Sequence, residues 1–223
     1  MSGNDDERLV AVWDLPTRLC HWLAAALIAA AYATAQLNWM DWHARAGYAL
    51  LAVLLFRLAW GVFGGETARF SRFLAPPRLA VRHLAHLFRR ERDTEVGHNP
   101  AGGWMVVVLL ALMLGQTLSG LYVSNDIADE GPLTEIVSAP LASFIEAAHD
   151  SFLWDALLAA MALHIAAIVI YGAVKRQDLV RPMVTGRKRL PAATRRPALG
   201  GATRAAIVLA GSLAATTAII RFL

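Results

Sequence analysis

The sequence of 223 residues contains a single cysteine, Cys20. One thiol excludes an internal disulfide framework, a CxxC metal site and a cysteine-ligated iron–sulfur cluster. It also excludes covalent haem attachment through the usual CxxCH motif. The N-terminal stretch MSGNDDERLVAVWD is polar and acidic and lacks the apolar core of a signal peptide. We therefore expect the first apolar helix to act as an uncleaved membrane anchor.

Charged residues are also scarce, because they make up only 17% of the chain, whereas 57% is hydrophobic. Such a composition is rare in soluble domains, and a run of about twenty apolar residues spans a bilayer as a helix. The pattern predicts an all-α integral membrane protein, a four-helix bundle followed by a fifth, C-terminal transmembrane helix. The predicted spans are residues 19–40, 43–64, 103–123, 149–173 and, shorter and richer in alanine, 205–220.

The loops between these spans differ sharply in charge. Residues 65–102 and 174–204 are rich in arginine, whereas residues 124–148 contain acidic residues and no lysine or arginine. Because basic loops stay on the cytoplasmic side, the N-terminus and both basic loops are predicted to face the cytoplasm of a bacterial inner membrane. The net charge of +4 thus reflects topology, and no nucleic acid partner is expected. Within the first basic loop, residues 78–92 predict a basic amphipathic helix on the membrane surface.

Four histidines lie in the predicted spans. His149 opens the fourth span and His164 follows fifteen residues later, so the two lie about 22 Å apart along one broad side of a helix. His21 begins the first span and His43 the second. The predicted topology therefore places His43 and His149 near the outer face, and His21 and His164 near the cytoplasmic face.

Two histidines at each of two depths are the minimal set for two haem b groups. Bis-histidine ligation needs one imidazole on each side of the porphyrin, which gives the pairs His43–His149 and His21–His164. A single membrane histidine could equally serve as a proton relay or hydrogen-bond across helices. The sorting of all four by depth favours haem.

Other residues of the spans fit haem and also have simpler explanations. Arg57 lies fourteen residues after His43, about 21 Å deeper, at the level of the inner haem. It could bind a haem propionate, or its guanidinium could extend to the lipid headgroups. Four glycines could allow close approach of a macrocycle, or could serve ordinary helix packing. They are Gly47, Gly61, Gly115 and Gly120.

Several stretches resemble the prokaryotic cytochrome b-561 and nickel-hydrogenase b-type cytochrome superfamily. They are VWDLPTRLCHW, WHARAGYALLAVLLFRLAWG, GHNPAGGWM and the long segment that begins HDSFLWDALL and ends in a KRxxLVRPMxTGRK tail. The resemblance covers about residues 10–190. It implies a four-helix core with two b-type haems that exchanges electrons between quinone and a redox partner. The family's ligand positions match His21, His43, His149 and His164.

We therefore expect residues 1–190 to form the di-haem domain and residues 191–223 a linker and the extra helix. The expected function is electron transfer through two haem b groups between the quinone pool and a periplasmic redox partner. The acidic outer surface favours a basic c-type cytochrome as that partner. No catalytic residue is assigned, and both an electron carrier and an oxidoreductase subunit fit.

Three alternatives stay open. The chain could be a superoxide:quinone oxidoreductase or a hydrogenase-type cytochrome b subunit. A proton-coupled transporter with a histidine relay is the alternative from another class. The direction of electron flow and pairing as a homodimer are also left open by the sequence.

Overall fold

The computed structural model describes residues 7–90, 94–123 and 131–222. Five of its helical segments are long and apolar enough to cross a membrane, which confirms the predicted all-α membrane fold and its fifth helix. The long helices are α1 (Leu15–Gln36), α2 (Met40–Phe63), α5 (Pro100–Ser119), α7 (Trp154–Ala173) and α9 (Ala202–Phe222).

Shorter elements lie between these helices. α5 continues as a 3-10 turn (Gly120–Tyr122), and α6 (Ala139–Ala147) leads through a π-helical segment (Ala148–Leu153) into α7. The remaining elements are α3 (Phe70–Phe73), α4 (Pro77–Ala85), a 3-10 turn (Thr134–Ile136), α8 (Val180–Thr185) and two strands, β1 (Glu7–Ala11) and β2 (Arg187–Pro191).

Side-chain caps fix where two of the long helices begin. Asp14 accepts a hydrogen bond from the backbone N–H of Thr17 at 2.9 Å and so caps α1. Asn99 accepts one from Gly102 at 2.7 Å and caps α5, whose first residue is Pro100. Asparagine or aspartate followed by proline suits a helix start, because proline has no N–H to leave unpaired.

The chain forms two compact units. The first unit comprises Met1–Leu19, Ala59–Val107 and Ala162–Ala206, and the second comprises Cys20–Leu58, Val108–Met161 and Ile207–Leu223.

The second unit has a small apolar core and a largely apolar surface. Leu51, Leu121 and Leu133 are buried together, and Tyr48 packs against them. Large apolar side chains such as Phe152 remain exposed. Exposed apolar side chains on long helices are expected where the surrounding solvent is lipid.

The first unit is organised around a two-stranded ribbon and a buried carboxylate. β1 pairs antiparallel with β2, and Val10 and Leu190 are buried on one face of the ribbon. Asp14, only 4% exposed, accepts hydrogen bonds from the indole N–H of Trp60 and from the backbone N–H of Gly200. These bonds join the start of α1, the end of α2 and the segment before α9.

Three features of the fold differ from the sequence-based expectations. The ribbon was not predicted. The amphipathic helix α4 ends at Ala85, well before the end of the predicted range. The fourth membrane segment begins at Ala139, ten residues before the predicted start. Of the acidic loop residues, Asp126, Asp129 and Glu130 lie outside the described residues, as does the side chain of Glu135.

Candidate functional site

The structure brings two of the four predicted histidines together in the second unit. His43 lies in the first turn of α2, and His149 lies in the π-helical segment that precedes α7. Both are half-buried. Their ring centres are 6.3 Å apart and their ring planes are nearly perpendicular, at 88°. We call these two residues the outer pair.

The spacing of the outer pair suits two ligands of one metal ion. A bond between a metal ion and an imidazole nitrogen is about 2 Å long, and the nitrogen lies about 1 Å from its ring centre. Two imidazoles on opposite sides of one ion therefore have their centres about 6 Å apart. The observed 6.3 Å agrees with this arrangement.

Hydrogen bonds also leave the appropriate nitrogen of each ring available for a metal. Nδ1 of His43 lies 2.9 Å from the backbone carbonyl of Ala31, which can only accept, so Nδ1 carries the proton. Nε2 of His43 therefore carries the lone pair. A proton on one nitrogen, anchored by an acceptor, is the usual arrangement of a metal-ligating histidine.

His149 has the same tautomer for a different reason. The amide of Gln116 donates to the carbonyl of His149 at 3.0 Å, which fixes the side-chain nitrogen toward the ring, 3.4 Å from Nε2. Oγ of Ser119 donates its proton to the carbonyl of Gln116 at 3.0 Å, so it accepts from Nδ1 of His149, 2.9 Å away, and Nδ1 carries the ring proton. The amide of Gln116 would turn away from Nε2 when a metal binds there. In both rings, the ligating lone pair is on Nε2.

Two glycines near the outer pair differ in the space around them. A Cβ on Gly47, one turn after His43, would meet no atom within 4 Å. A Cβ on Gly120 would lie 2.9 Å from Cε1 of His149. By contrast, Gly61 packs against Phe70, so it serves helix packing rather than access for a macrocycle. The open space beside Gly47 and the paired Nε2 atoms together fit a haem.

The three remaining predicted residues are divided between the two units, and each is described within its own unit. His21 in α1 belongs to the second unit, where its ring meets the ring of Trp22 edge-on at 4.9 Å. Arg57 in α2 also belongs to the second unit and is 7% exposed. His164 in α7 belongs to the first unit and is half-buried. The pairing of His21 with His164, and Arg57 as a propionate ligand, stay predictions.

The sequence reasoning missed the residues that orient His149. Gln116 and Ser119 are polar residues near the end of an otherwise apolar span, and polar groups in a membrane helix usually have a function. That signal was present in the sequence. The π-helical segment had no such signal, although these segments are frequent at functional sites.

A second polar cluster joins three elements of the first unit. The amide of Asn99 donates to the hydroxyl of Tyr171 at 2.6 Å, and that hydroxyl lies 2.6 Å from Nε2 of His83. Both hydrogen bonds therefore meet at the hydroxyl of Tyr171. His83 therefore anchors α4 to α7. His98 packs between Trp13 and Phe73, at 4.7 and 4.6 Å between ring centres.

Comparison with protein families supports the haem interpretation. A family model described as prokaryotic cytochrome b561 matches residues 12–186, which include all four histidines and Arg57. The chain belongs to the prokaryotic cytochrome b561 family. As a member of this family, the protein is a multi-pass inner membrane protein that binds b-type haem and takes part in electron transfer. Comparisons with curated proteins and with solved structures gave no match.

Proposed function

We propose that this protein passes electrons between the quinone pool and a periplasmic c-type cytochrome through two haem b groups. His43 and His149 would hold the outer haem, and His21 and His164 the inner haem. The observation that supports the proposal most directly is the outer pair, with its spacing of 6.3 Å between ring centres and its two Nε2 lone pairs. When bound, haem supplies an iron atom that is oxidised and reduced by one electron at a time.

The protein's own residues would set the ligation and the local charge. The carbonyl of Ala31 and the hydroxyl of Ser119 accept from the Nδ1 atoms, which fixes the orientation of each ring and leaves its Nε2 directed away from them. Arg57 would supply a buried positive charge near the inner haem and could bind a propionate there. A buried guanidinium is otherwise costly within a membrane span.

Charge near the outer pair favours a cationic partner. Asp41 precedes His43 by two residues, and Asp150 directly follows His149. Both carboxylates are on exposed residues, and Arg45 stacks on the ring of Trp42 at 4.9 Å. A negative rim attracts a lysine-rich cytochrome and repels an anion such as superoxide. This rim therefore favours a c-type cytochrome over the superoxide alternative.

The proposal can be tested by electron transfer from the quinol-reduced protein to a lysine-rich cytochrome c. We expect the bimolecular rate constant to fall about tenfold or more as ionic strength rises to the physiological range, because salt screens the attraction. The variant Asp150→Asn should show a shallower dependence. Glu95→Gln, which removes the same charge on the predicted cytoplasmic side, should behave like the wild type.

Three results would contradict the proposal. One is a rate that does not change with salt. Another is faster oxidation of superoxide than reduction of any cytochrome. The third is purified protein that contains no haem, as a proton-coupled transporter would predict.

A further inference from the structure

A basic pocket lies in the first unit, outside the membrane spans, where α7 ends and the β1–β2 ribbon begins to pair. Its volume is about 250 Å³. Five of its lining residues are cationic and only two, Glu7 and Asp178, are acidic. The cationic residues are Arg176, Arg181, Arg187, Lys188 and Arg189.

The ribbon holds two of these cations side by side, whereas the ammonium of Lys188 is held elsewhere. Arg187 and Arg189 are two residues apart on β2 and therefore point to the same face of the ribbon. Asp178 accepts hydrogen bonds from the backbone N–H groups of Val180 and Arg181, at 2.9 and 3.0 Å, which fixes its carboxylate at the start of α8. Lys188 is directed to the carbonyl of Glu95, at 2.8 Å.

Arg176 occupies a backbone conformation that arginine rarely adopts. Its φ is 51°, in the left-handed region that favours glycine or asparagine. An arginine in this conformation is strained relative to an ordinary backbone. Such outliers are concentrated at functional positions. The strain at Arg176 therefore supports a role for its charge in the pocket.

The predicted topology places the pocket near the cytoplasmic lipid headgroups. α7 ends at Ala173, and Arg176 follows three residues later, so it lies within about 10 Å of the end of the span even where the chain is fully extended. The headgroup layer is itself about 5–8 Å thick on each side of the hydrocarbon core. Leu9, which lines the pocket, is 54% exposed and provides an apolar neighbour for an acyl chain.

We propose that this pocket binds the phosphate group of one anionic phospholipid. Arginine is well suited to phosphate because its planar guanidinium can donate two parallel hydrogen bonds to the oxygens. The volume of about 250 Å³ lies below the range of about 300–1,000 Å³ that is usual for larger ligands, so it suits a small headgroup rather than a nucleotide. A soluble phosphate has the same chemistry but does not require a site at this depth.

The test is native mass spectrometry of the purified full-length protein, titrated with phosphatidylglycerol, phosphatidylcholine or inorganic phosphate. The wild type should bind one phosphatidylglycerol more tightly than phosphatidylcholine and should not bind phosphate at matched concentrations. Arg189→Gln should weaken binding of phosphatidylglycerol by roughly tenfold. Arg176→Asn should do the same while relieving backbone strain, because asparagine tolerates a positive φ. The second variant therefore separates loss of the ligand from loss of the fold.

A matched control removes equal charge elsewhere in the same unit. Arg89→Gln and Arg90→Gln alter exposed arginines that follow α4 and do not line the pocket, so binding should stay at the wild-type level. Equal losses in control and pocket variants would overturn the proposal in favour of a general basic surface. Equal binding of the two lipids would overturn it as well. Binding of inorganic phosphate without a preference for the anionic lipid would assign a soluble ligand instead.

Discussion

Replacement of Gly120 by alanine should selectively disturb the outer haem. The added Cβ would lie 2.9 Å from Cε1 of His149, whereas an ordinary contact begins at 3.4 Å. The ring must therefore retreat by at least about 0.5 Å, and bonds between metals and protein ligands hold to within about 0.2 Å. The ring cannot swing aside freely, since Ser119 and Gln116 hold it at Nδ1 and at the backbone carbonyl.

The assay is the low-spin signal of bis-histidine haem, measured by electron paramagnetic resonance together with haem content per protein. In Gly120→Ala, one of the two low-spin signals should disappear, either by loss of that haem or by loss of its His149 ligand. The second haem should be unaffected. Gly211→Ala is the control, because a Cβ there meets no atom within 4 Å and alanine in a helix is favoured by about 1 kcal/mol. Two unchanged low-spin signals in Gly120→Ala would refute the assignment of His149.

Three further predictions concern topology, pH and redox potential. A reporter fused at Ala85 should be active only in the cytoplasm and one at Leu133 only in the periplasm; the reverse would exchange the inner and outer haem. Hydrogen bonding from the N–H of Ala198, together with Arg195, lowers the pKa of Glu66 below its ordinary value of 4.5. The stabilising contact is therefore present above that value and lost as pH falls through the lowered pKa. The protection factor of the Ala198 amide in hydrogen exchange should accordingly fall in acid, and Glu66→Gln should abolish this dependence. Arg57→Gln should lower the reduction potential of the inner haem in a redox titration, because a nearby positive charge stabilises the reduced state. An unchanged potential would favour the alternative, in which the guanidinium of Arg57 extends to the lipid headgroups.

Hydrophobicity and charge alone predicted the five membrane helices. In lipid, a spanning segment must satisfy its own backbone hydrogen bonds and so forms a helix wherever about twenty apolar residues follow one another. The same reasoning predicted that His43 and His149 lie close together, because each opens a span at the same predicted face. Their separation could not be predicted, because it depends on how α2 and the π-helical segment pack.

The π-helical segment and the ribbon could not be predicted from the pattern of residues in the sequence. A π-helix differs from an α-helix in hydrogen-bond register, which leaves no mark on hydropathy. β2 contains three cations within RKRLP and its partner is about 180 residues away, so neither strand shows the usual apolar alternation with a nearby turn. The ribbon forms because Val10 and Leu190 are buried together, a tertiary effect.

The central claim is that four histidines bind two haems as the pairs His43–His149 and His21–His164. It is tested most directly by haem stoichiometry, determined by the pyridine haemochrome method and protein assay, in the wild type and in two single variants. We predict two haem b per wild-type chain and one in each of His149→Ala and His164→Ala. The haem that remains in one variant should give a reduced-minus-oxidised spectrum that differs from that of the haem remaining in the other. Two haems retained in either variant, or the same spectrum remaining in both, would contradict the pairing.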